Sequence, residues 1–234
     1  MYINSRWKDI FNKPEFVWNS KLRKIKNNKD FVALTKHVFP KLNNTKVKSY
    51  YKLILQNNNY TTLYDYGSGN GALFNLVNKK TNLLSWEVNK EFVKFQKKNF
   101  KNRVKIFDIN NQKYHKKIDL SVVNSVLQYF QNKKLVFETI LNLIKNSNEV
   151  FIGDIKNMKY KKKFQINQMK RQNLNLKQYK KKYKNLNHIF FSRNEILSFL
   201  EKNKNLISSY TIFDMPNYYP DAKFGSFGLR ILTY

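Results

Sequence analysis

From residue 61 onward the apolar positions of this chain switch repeatedly between two periods. Thr61–Tyr66 is a short apolar run and predicts a strand. Ala72–Asn78, with Leu73, Leu76 and Val77 inward, predicts a helix. Leu83–Val88 predicts the next strand, and Glu91–Phe100, with Phe92, Phe95 and Phe100 at helical spacing, the next helix. Val104–Phe107 is a third strand and Ile118–Val123, rich in β-branched residues and leucine, a fourth. Lys134–Ile144 is an amphipathic helix, and Val150–Ile152 opens a fifth strand. This alternation implies crossover connections and a parallel sheet. The ending differs: Asn194–Glu201 predicts a helix, but Leu206–Phe213 and Gly225–Thr233 predict two strands with no helix between them. The expected fold is therefore α/β, a seven-stranded mostly parallel sheet with an antiparallel last strand and helices on both faces.

Residues 1–56 read differently. Trp7, Ile10, Phe11, Phe16, Val17 and Trp18 form one apolar cluster, Phe31–Phe39 a second, and Val47–Leu55 leads into the first strand. This region is expected to be a helical extension or cap on a single domain, 57–234. Inside that domain, 156–190 reads as an insert or lid. Lys156–Asn185 carries twelve Lys or Arg and no Asp or Glu. It follows the fifth strand, beyond a carboxyl end, where open α/β sheets place their ligands.

Three of the six glycines fall in one loop, Asp65-Tyr-Gly67-Ser68-Gly69-Asn-Gly71. Glycines there allow a tight turn and close approach of the backbone to a ligand. The helix expected to follow offers free N–H groups. Such a loop holds either a dinucleotide pyrophosphate or the carboxypropyl end of S-adenosylmethionine, and Gly67, Gly69 and Ala72 also satisfy the looser dinucleotide fingerprint. Asp65 tips the balance toward S-adenosylmethionine, because a carboxylate suits an ammonium group and repels a pyrophosphate. Gly71 leaves room for a flat adenosyl group, and the antiparallel ending agrees. Glu87, with Val88 beside it, ends the second strand and can accept both ribose hydroxyls. Asp108, followed by Ile109, ends the third and can accept from an adenine amino group or cap a turn. Asn124 and Ser125 open the loop after the fourth strand. Asn124 can bond the methionine moiety, Gln128 and Tyr129 can face the methyl group or its acceptor, and Val126 and Leu127 read as core.

On these residues the chain resembles the class I, Rossmann-like, S-adenosylmethionine-dependent methyltransferases, from about Leu63 to Asp154 and in the final two strands. Asp65–Gly71 matches the family's first motif, Glu87 the acidic second, Asp108 the third and Ile118–Phe130 the fourth. The resemblance implies that Asp65, Gly67, Gly69, Glu87, Asp108 and Asn124 contact the cofactor. Ser125–Phe130 and Phe151–Ile155 resemble the small-molecule branch acting on sugars and surface-polysaccharide precursors. Two departures stand out. Asn146-Ser-Asn148 replaces the usual glycine pair before the fifth strand, and asparagine tolerates left-handed geometry there. The fourth motif also lacks the Asp/Asn-Pro-Pro-Tyr/Phe pattern of base-amino methylation.

Composition changes this picture in three ways. The absence of cysteine excludes disulfides, thiolate zinc sites and a cysteine nucleophile, and no metal is expected. No apolar run is long enough to span a bilayer and no signal core opens the chain, so the expected location is cytoplasmic. The net charge of +30 comes mainly from lysine, 39 of 45 basic residues. Abundant Lys, Asn, Ile, Tyr and Phe are what AT-rich codons encode, and arginine, better suited to phosphates and base edges, is scarce. The field still favours anionic partners.

A hydroxyl acceptor usually needs a general base. His188, after the lysine-rich segment, leads the candidates, followed by Asp154 at the end of the fifth strand and then Tyr129. His37 and His115 read as ordinary. The leading expectation is methyl transfer to a small polar, anionic or nucleotide- or lipid-linked acceptor, such as a sugar hydroxyl, contacted by Gln128, Tyr129, Asp154 and His188. An RNA methyltransferase is the alternative: Phe164, Tyr179 and Tyr183 interleave with lysines and can stack on bases. A plainer reading makes the lysine-rich segment one solvated amphipathic helix, with Phe164, Met169, Leu174 and Leu176 toward the sheet. A non-catalytic binding module is a third possibility, and a dehydrogenase a distant fourth.

Overall fold

The computed structural model describes residues 2–13, 44–56, 59–112, 114–184, 186, 188–216 and 225–234. The apolar clusters at Phe16–Trp18 and Phe31–Phe39, and His37, lie outside the described residues. The N-terminal region contributes helix α1, Ser5–Asn12, and helix α2, Asn44–Ile54.

Seven strands among the described residues form one sheet: β1 Thr62–Tyr66, β2 Asn82–Trp86, β3 Val104–Ile106, β4 Ile118–Asn124, β5 Ser147–Ile155, β6 Ile207–Asp214 and β7 Phe227–Thr233. Their order is β3-β2-β1-β4-β5-β7-β6. The pairs from β3 through β5 are parallel, and β7 runs antiparallel to both neighbours. The expected antiparallel ending is therefore present: β7 slots between β5 and β6, and residues 217–224, which join β6 to β7, lie outside the described residues.

Successive strand residues face opposite layers. Tyr64, Tyr66, Leu84, Val123, Val150 and Ile152 belong to one core. Leu63, Leu83, Leu120, Val122 and Phe151 belong to the other. The first core takes helix α4, Lys133–Asn146, whose buried Val136, Thr139, Ile140, Leu143 and Ile144 recur at helical spacing. It also takes α7, Arg193–Lys202, opened by a capping box between Ser192 and Glu195. The second core takes Tyr50 and Ile54 of α2 and Phe100 of α3, Lys90–Phe100.

Three local expectations are corrected. Ala72–Asn78 is not an α-helix: a 3-10 turn covers only Ala72–Asn75, with Phe74 fully buried. No left-handed residue separates α4 from β5, because the helix ends at Asn146 and Ser147 is already extended. Its hydroxyl is bonded to that of Ser121 at 2.7 Å, which fixes the strand's start. The lysine-rich segment forms two helices, α5 Lys161–Arg171 and α6 Leu176–Lys182, divided near the left-handed Asn173. Phe164 is buried, but against Phe190 and His188 in a small cluster separate from the sheet cores, and Leu176 is exposed. The new helix starts there under an Asn175–Gln178 capping box, which turns Leu176 outward.

Arg230 joins the sheet to the N-terminal region. It is buried on β7, donates to the Leu53 and Ile54 carbonyls at 2.5 and 3.0 Å, and pairs with Glu149 of β5. Those carbonyls end α2 and have no partner within the helix. Arg230→Met is expected to lower stability by about 2–4 kcal/mol, by stranding two carbonyls and a half-buried carboxylate. Urea denaturation monitored by circular dichroism measures it; an unchanged midpoint contradicts this role.

Candidate functional site

The turn between β1 and the 3-10 segment is fixed from outside. Gly67, Gly69 and Gly71 all adopt left-handed backbone, with φ of 79°, 56° and 78°. The Gly67 and Ser68 N–H groups donate to the Trp86 carbonyl at 2.7 and 3.3 Å. Gly69 N–H donates to Glu87 Oε2 at 2.7 Å. Gly71 N–H turns back to the Ser68 carbonyl, and Ala72 N–H is bonded by the Asn70 side chain. Five N–H groups of this loop are thus satisfied internally. A pyrophosphate site needs such groups free, so the loop suits a ligand that does not ask for them.

Gly67 also explains its own identity. A Cβ at this position would lie 2.2 Å from Val126 Cγ2. The contact joins the turn after β1 to the turn after β4, bringing the two halves of the expected site together.

Asp65 ends β1, 6% exposed, and accepts no hydrogen bond among the described residues. Burial first, and the neighbouring Glu87 second, push its carboxyl up to about 8. A buried carboxylate without a partner is costly, and a cationic ligand group would remove that cost. Glu87 is raised by burial too, but it accepts from Gly69 and Asn89 N–H groups at 2.7 and 2.8 Å. Each carboxylate oxygen has more than one acceptor position, so capacity for a diol remains. Val88 is partly buried and its carbonyl accepts from the Asn12 amide, tying α1 to this edge.

Three further predicted residues make bonds within the fold. Ser68 is buried in a triangle with Ser85 and Gln96, with bonds of 2.7 to 2.8 Å. Ile109 is core, and its N–H donates to the Tyr64 hydroxyl at 3.4 Å. Asp108 caps its own turn, accepting from Asn110 N–H at 3.0 Å and the Asn111 amide at 2.7 Å.

On the β4–β5 side, Tyr50 of α2 donates to Asn124 Oδ1. Ser125 and Asp154 both have φ of 59°, rare for residues with side chains. They are bonded to each other, Ser125 Oγ to Asp154 Oδ2, at 2.6 Å. Asp154 is buried and ion-paired with buried Lys156 at 2.8 Å. Its oxygens are engaged twice over, so proton acceptance there would cost an ion pair. Gln128 is buried; its amide donates to the Ser125 carbonyl at 2.7 Å, and its Oε1 has no hydrogen-bond partner among the described residues.

Tyr129 and His188 meet at 5.5 Å between ring centres. Trp7 of α1 lies 5.1 Å from each, and Phe11 lies 5.2 Å from Tyr129. Phe164 of α5 closes on His188 at 5.5 Å. The N-terminal helix and the lysine-rich helices therefore converge on the loop after β4.

Gln96, Lys156, Tyr50, Trp7 and Asn12 were absent from the candidates. Gln96 had a signal: it sits four residues from both Phe92 and Phe100, on the inward face of α3, whereas Phe95 is only partly buried. Tyr50 and Asn12 act across long sequence separations, which no local pattern encodes.

The methyltransferase-domain family model matches residues 57–210. Protein 235L of Invertebrate iridescent virus 6, a methyltransferase by name, is 28% identical over 94 residues, 38% of this chain and 36% of that protein. The chain thus spans about a third of that relative's length. Magnesium protoporphyrin IX methyltransferase from Synechocystis PCC 6803, bound to S-adenosylhomocysteine, superposes with a TM-score of 0.60 at 12% identity, covering 98% of this chain and 97% of that one. The plantazolicin methyltransferase BpumL, also bound to S-adenosylhomocysteine, gives 0.56 at 14% identity, covering 97% and 93%. At these identities the superpositions establish the fold.

Two outcomes follow from the site's geometry. Gly67→Ala is expected to cost about 2–4 kcal/mol, left-handed strain plus overpacking against Val126. Gly69→Ala, whose nearest neighbour would be 3.9 Å away, carries only the strain, about 1–2 kcal/mol. Equal losses in urea denaturation would contradict the Val126 contact. The second concerns pH. Asp65 ionises near 3.8 in the unfolded chain and near 8 when folded. The folded state holds the extra proton between those values, so stability falls as pH rises from about 4 through 8. Asp65→Asn is expected to flatten that decline in ligand-free thermal melts; a parallel decline in both proteins refutes it.

Proposed function

This chain belongs to the methyltransferase-domain family, and we propose that it transfers a methyl group from S-adenosylmethionine to a hydroxyl of a small polar acceptor, a sugar or surface-glycan precursor. One observation carries the donor half: Asp65, buried, partnerless and raised to about 8, waits for a cation at the glycine turn. The cofactor's ammonium is such a cation. Bound S-adenosylmethionine supplies an already activated methyl on a sulfonium, so the protein's task is chiefly positioning. Asp65 holds the ammonium, Glu87 accepts the ribose hydroxyls, and Gly67 with Val126 keeps the turn clear of the ligand. Asp108 takes the adenine amino group on its remaining acceptor positions. Asn124, braced by Tyr50, borders the methionine end.

On the acceptor side, His188 takes the hydroxyl proton, with its ring packed against Trp7, Tyr129 and Phe164. Gln128 Oε1, buried and without a hydrogen-bond partner among the described residues, is suited to receive a donor from the acceptor. Asp154 and Lys156 act as a rigid brace for Ser125 rather than as base. A porphyrin and plantazolicin are named for two structural relatives, and one fold carries both, so the fold does not select the acceptor.

RNA is the second reading, favoured by the run from Lys156 to Asn185 that has twelve basic residues and no acid. Methyl incorporation into RNA with steep salt dependence would decide for it.

Calorimetry with S-adenosylhomocysteine tests the donor half. Asp65→Asn and Glu87→Gln are each expected to weaken binding by about 1–3 kcal/mol, roughly five- to 150-fold. Affinities equal to the parent's in both variants would overturn the placement. His188→Ala is expected to lower turnover while leaving that affinity unchanged.

A further inference from the structure

Between the lysine-rich helices and the segment after them lies a cavity of about 120 Å³. Its walls are largely rings, Phe164 of α5, Tyr179 and Tyr183 of α6, and Phe190, with His188 and Lys161 among the polar groups. The walls are held in place. Phe164 meets Phe190 edge-on at 5.6 Å, and Tyr179 and Tyr183 lie 4.6 Å apart. Tyr179 donates to Gln168 at 2.7 Å and Tyr183 accepts from Gln172 at 2.5 Å, so α5 and the residue just past its end fix both tyrosines. The cavity is therefore pre-formed rather than opened by its occupant.

Its size selects an occupant. A dry cavity of roughly 150 Å³ accepts benzene, so about 120 Å³ takes most of one six-membered ring. Its charge narrows the choice further. Lys161 lies 5.9 Å from the Phe190 ring centre, and the run from Lys156 to Asn185 contains no carboxylate to compete for it. Its position relates it to the chemistry. His188 is at once a wall of the cavity and a ring neighbour of Tyr129, and Ile189 N–H donates to the Gln128 carbonyl at 3.0 Å. The cavity's inner wall thus adjoins the loop after β4.

We propose that this cavity is the acceptor site, and that the acceptor is a single six-membered ring carrying a phosphate or carboxylate. The ring lies against the aromatic walls, the anion meets Lys161 outside, and the hydroxyl to be methylated lies toward His188. This assignment rests on the methyltransferase reading above, but its test separates the two.

The full-length chain, with and without S-adenosylhomocysteine, is titrated by ligand-observed NMR with phenyl phosphate, glucose 1-phosphate and inorganic phosphate. At least one ring phosphate is expected to bind about tenfold more tightly than inorganic phosphate. A preference for phenyl phosphate identifies an aromatic ring, and the reverse a sugar. Lys161 is exposed, so Lys161→Gln leaves folding intact. It is expected to weaken ring-phosphate binding about three- to tenfold and to leave S-adenosylhomocysteine affinity unchanged. Ring phosphates that bind no better than inorganic phosphate, or that ignore Lys161→Gln, overturn the proposal while leaving the donor reading intact. Ring-phosphate binding by a chain that does not take S-adenosylhomocysteine keeps the cavity and sinks the donor reading.

Discussion

Asp65 is a carboxyl that folding takes out of water and leaves without a partner. Burying it that way costs stability unless it keeps its proton, and its raised ionisation near 8 reflects that. The surrounding structure holds this unfavourable arrangement rigidly. The Trp86 carbonyl and Glu87 pin the glycine turn from β2, and Gln96 bonds the Gly69 carbonyl at 2.5 Å from α3. Val126 closes it from the loop after β4. Strain of this kind concentrates at functional sites, because only a surrounding scaffold or a ligand can offset it.

The same logic recurs across the sheet's carboxyl edge. Ser125 and Asp154 are both left-handed, both at strand ends and bonded to each other. Lys156 completes the pair and also lies 5.3 Å from the Phe164 ring centre, below the lysine-rich helices. From the glycine turn to α5 runs a continuous set of contacts through Val126, Ser125, Asp154 and Lys156. The glycine turn and α5 are thus placed relative to each other by buried polar groups.

Much of this was legible in the sequence. The seven strands and the antiparallel return followed from apolar period, most cleanly at β1, β4 and β5, which are buried on both faces and show as continuous runs. The glycine turn with Asp65 and Glu87 was legible because few side chains tolerate that backbone. What stayed hidden had physical reasons. Ala72–Asn78 has helical spacing, yet only a 3-10 turn over Ala72–Asn75 forms, after the left-handed Gly71 against which Phe74 and Phe100 pack. The partners of the Ser68 side chain, Ser85 and Gln96, are 17 and 28 residues away. Nothing local announced that Trp7 would reach Tyr129 and His188, or that Leu176 would open a second helix facing solvent.

On the proposed reading, Asp65 keeps a proton in the ligand-free protein and exchanges it for the cofactor's ammonium. Calorimetric titration of S-adenosylhomocysteine at pH 7, repeated in buffers of different ionisation enthalpy, measures that exchange directly. With ionisation at about 8, close to one proton should be released per ligand bound, and none by Asp65→Asn. Binding with no proton release from the parent protein, or equal release from the variant, would contradict the account.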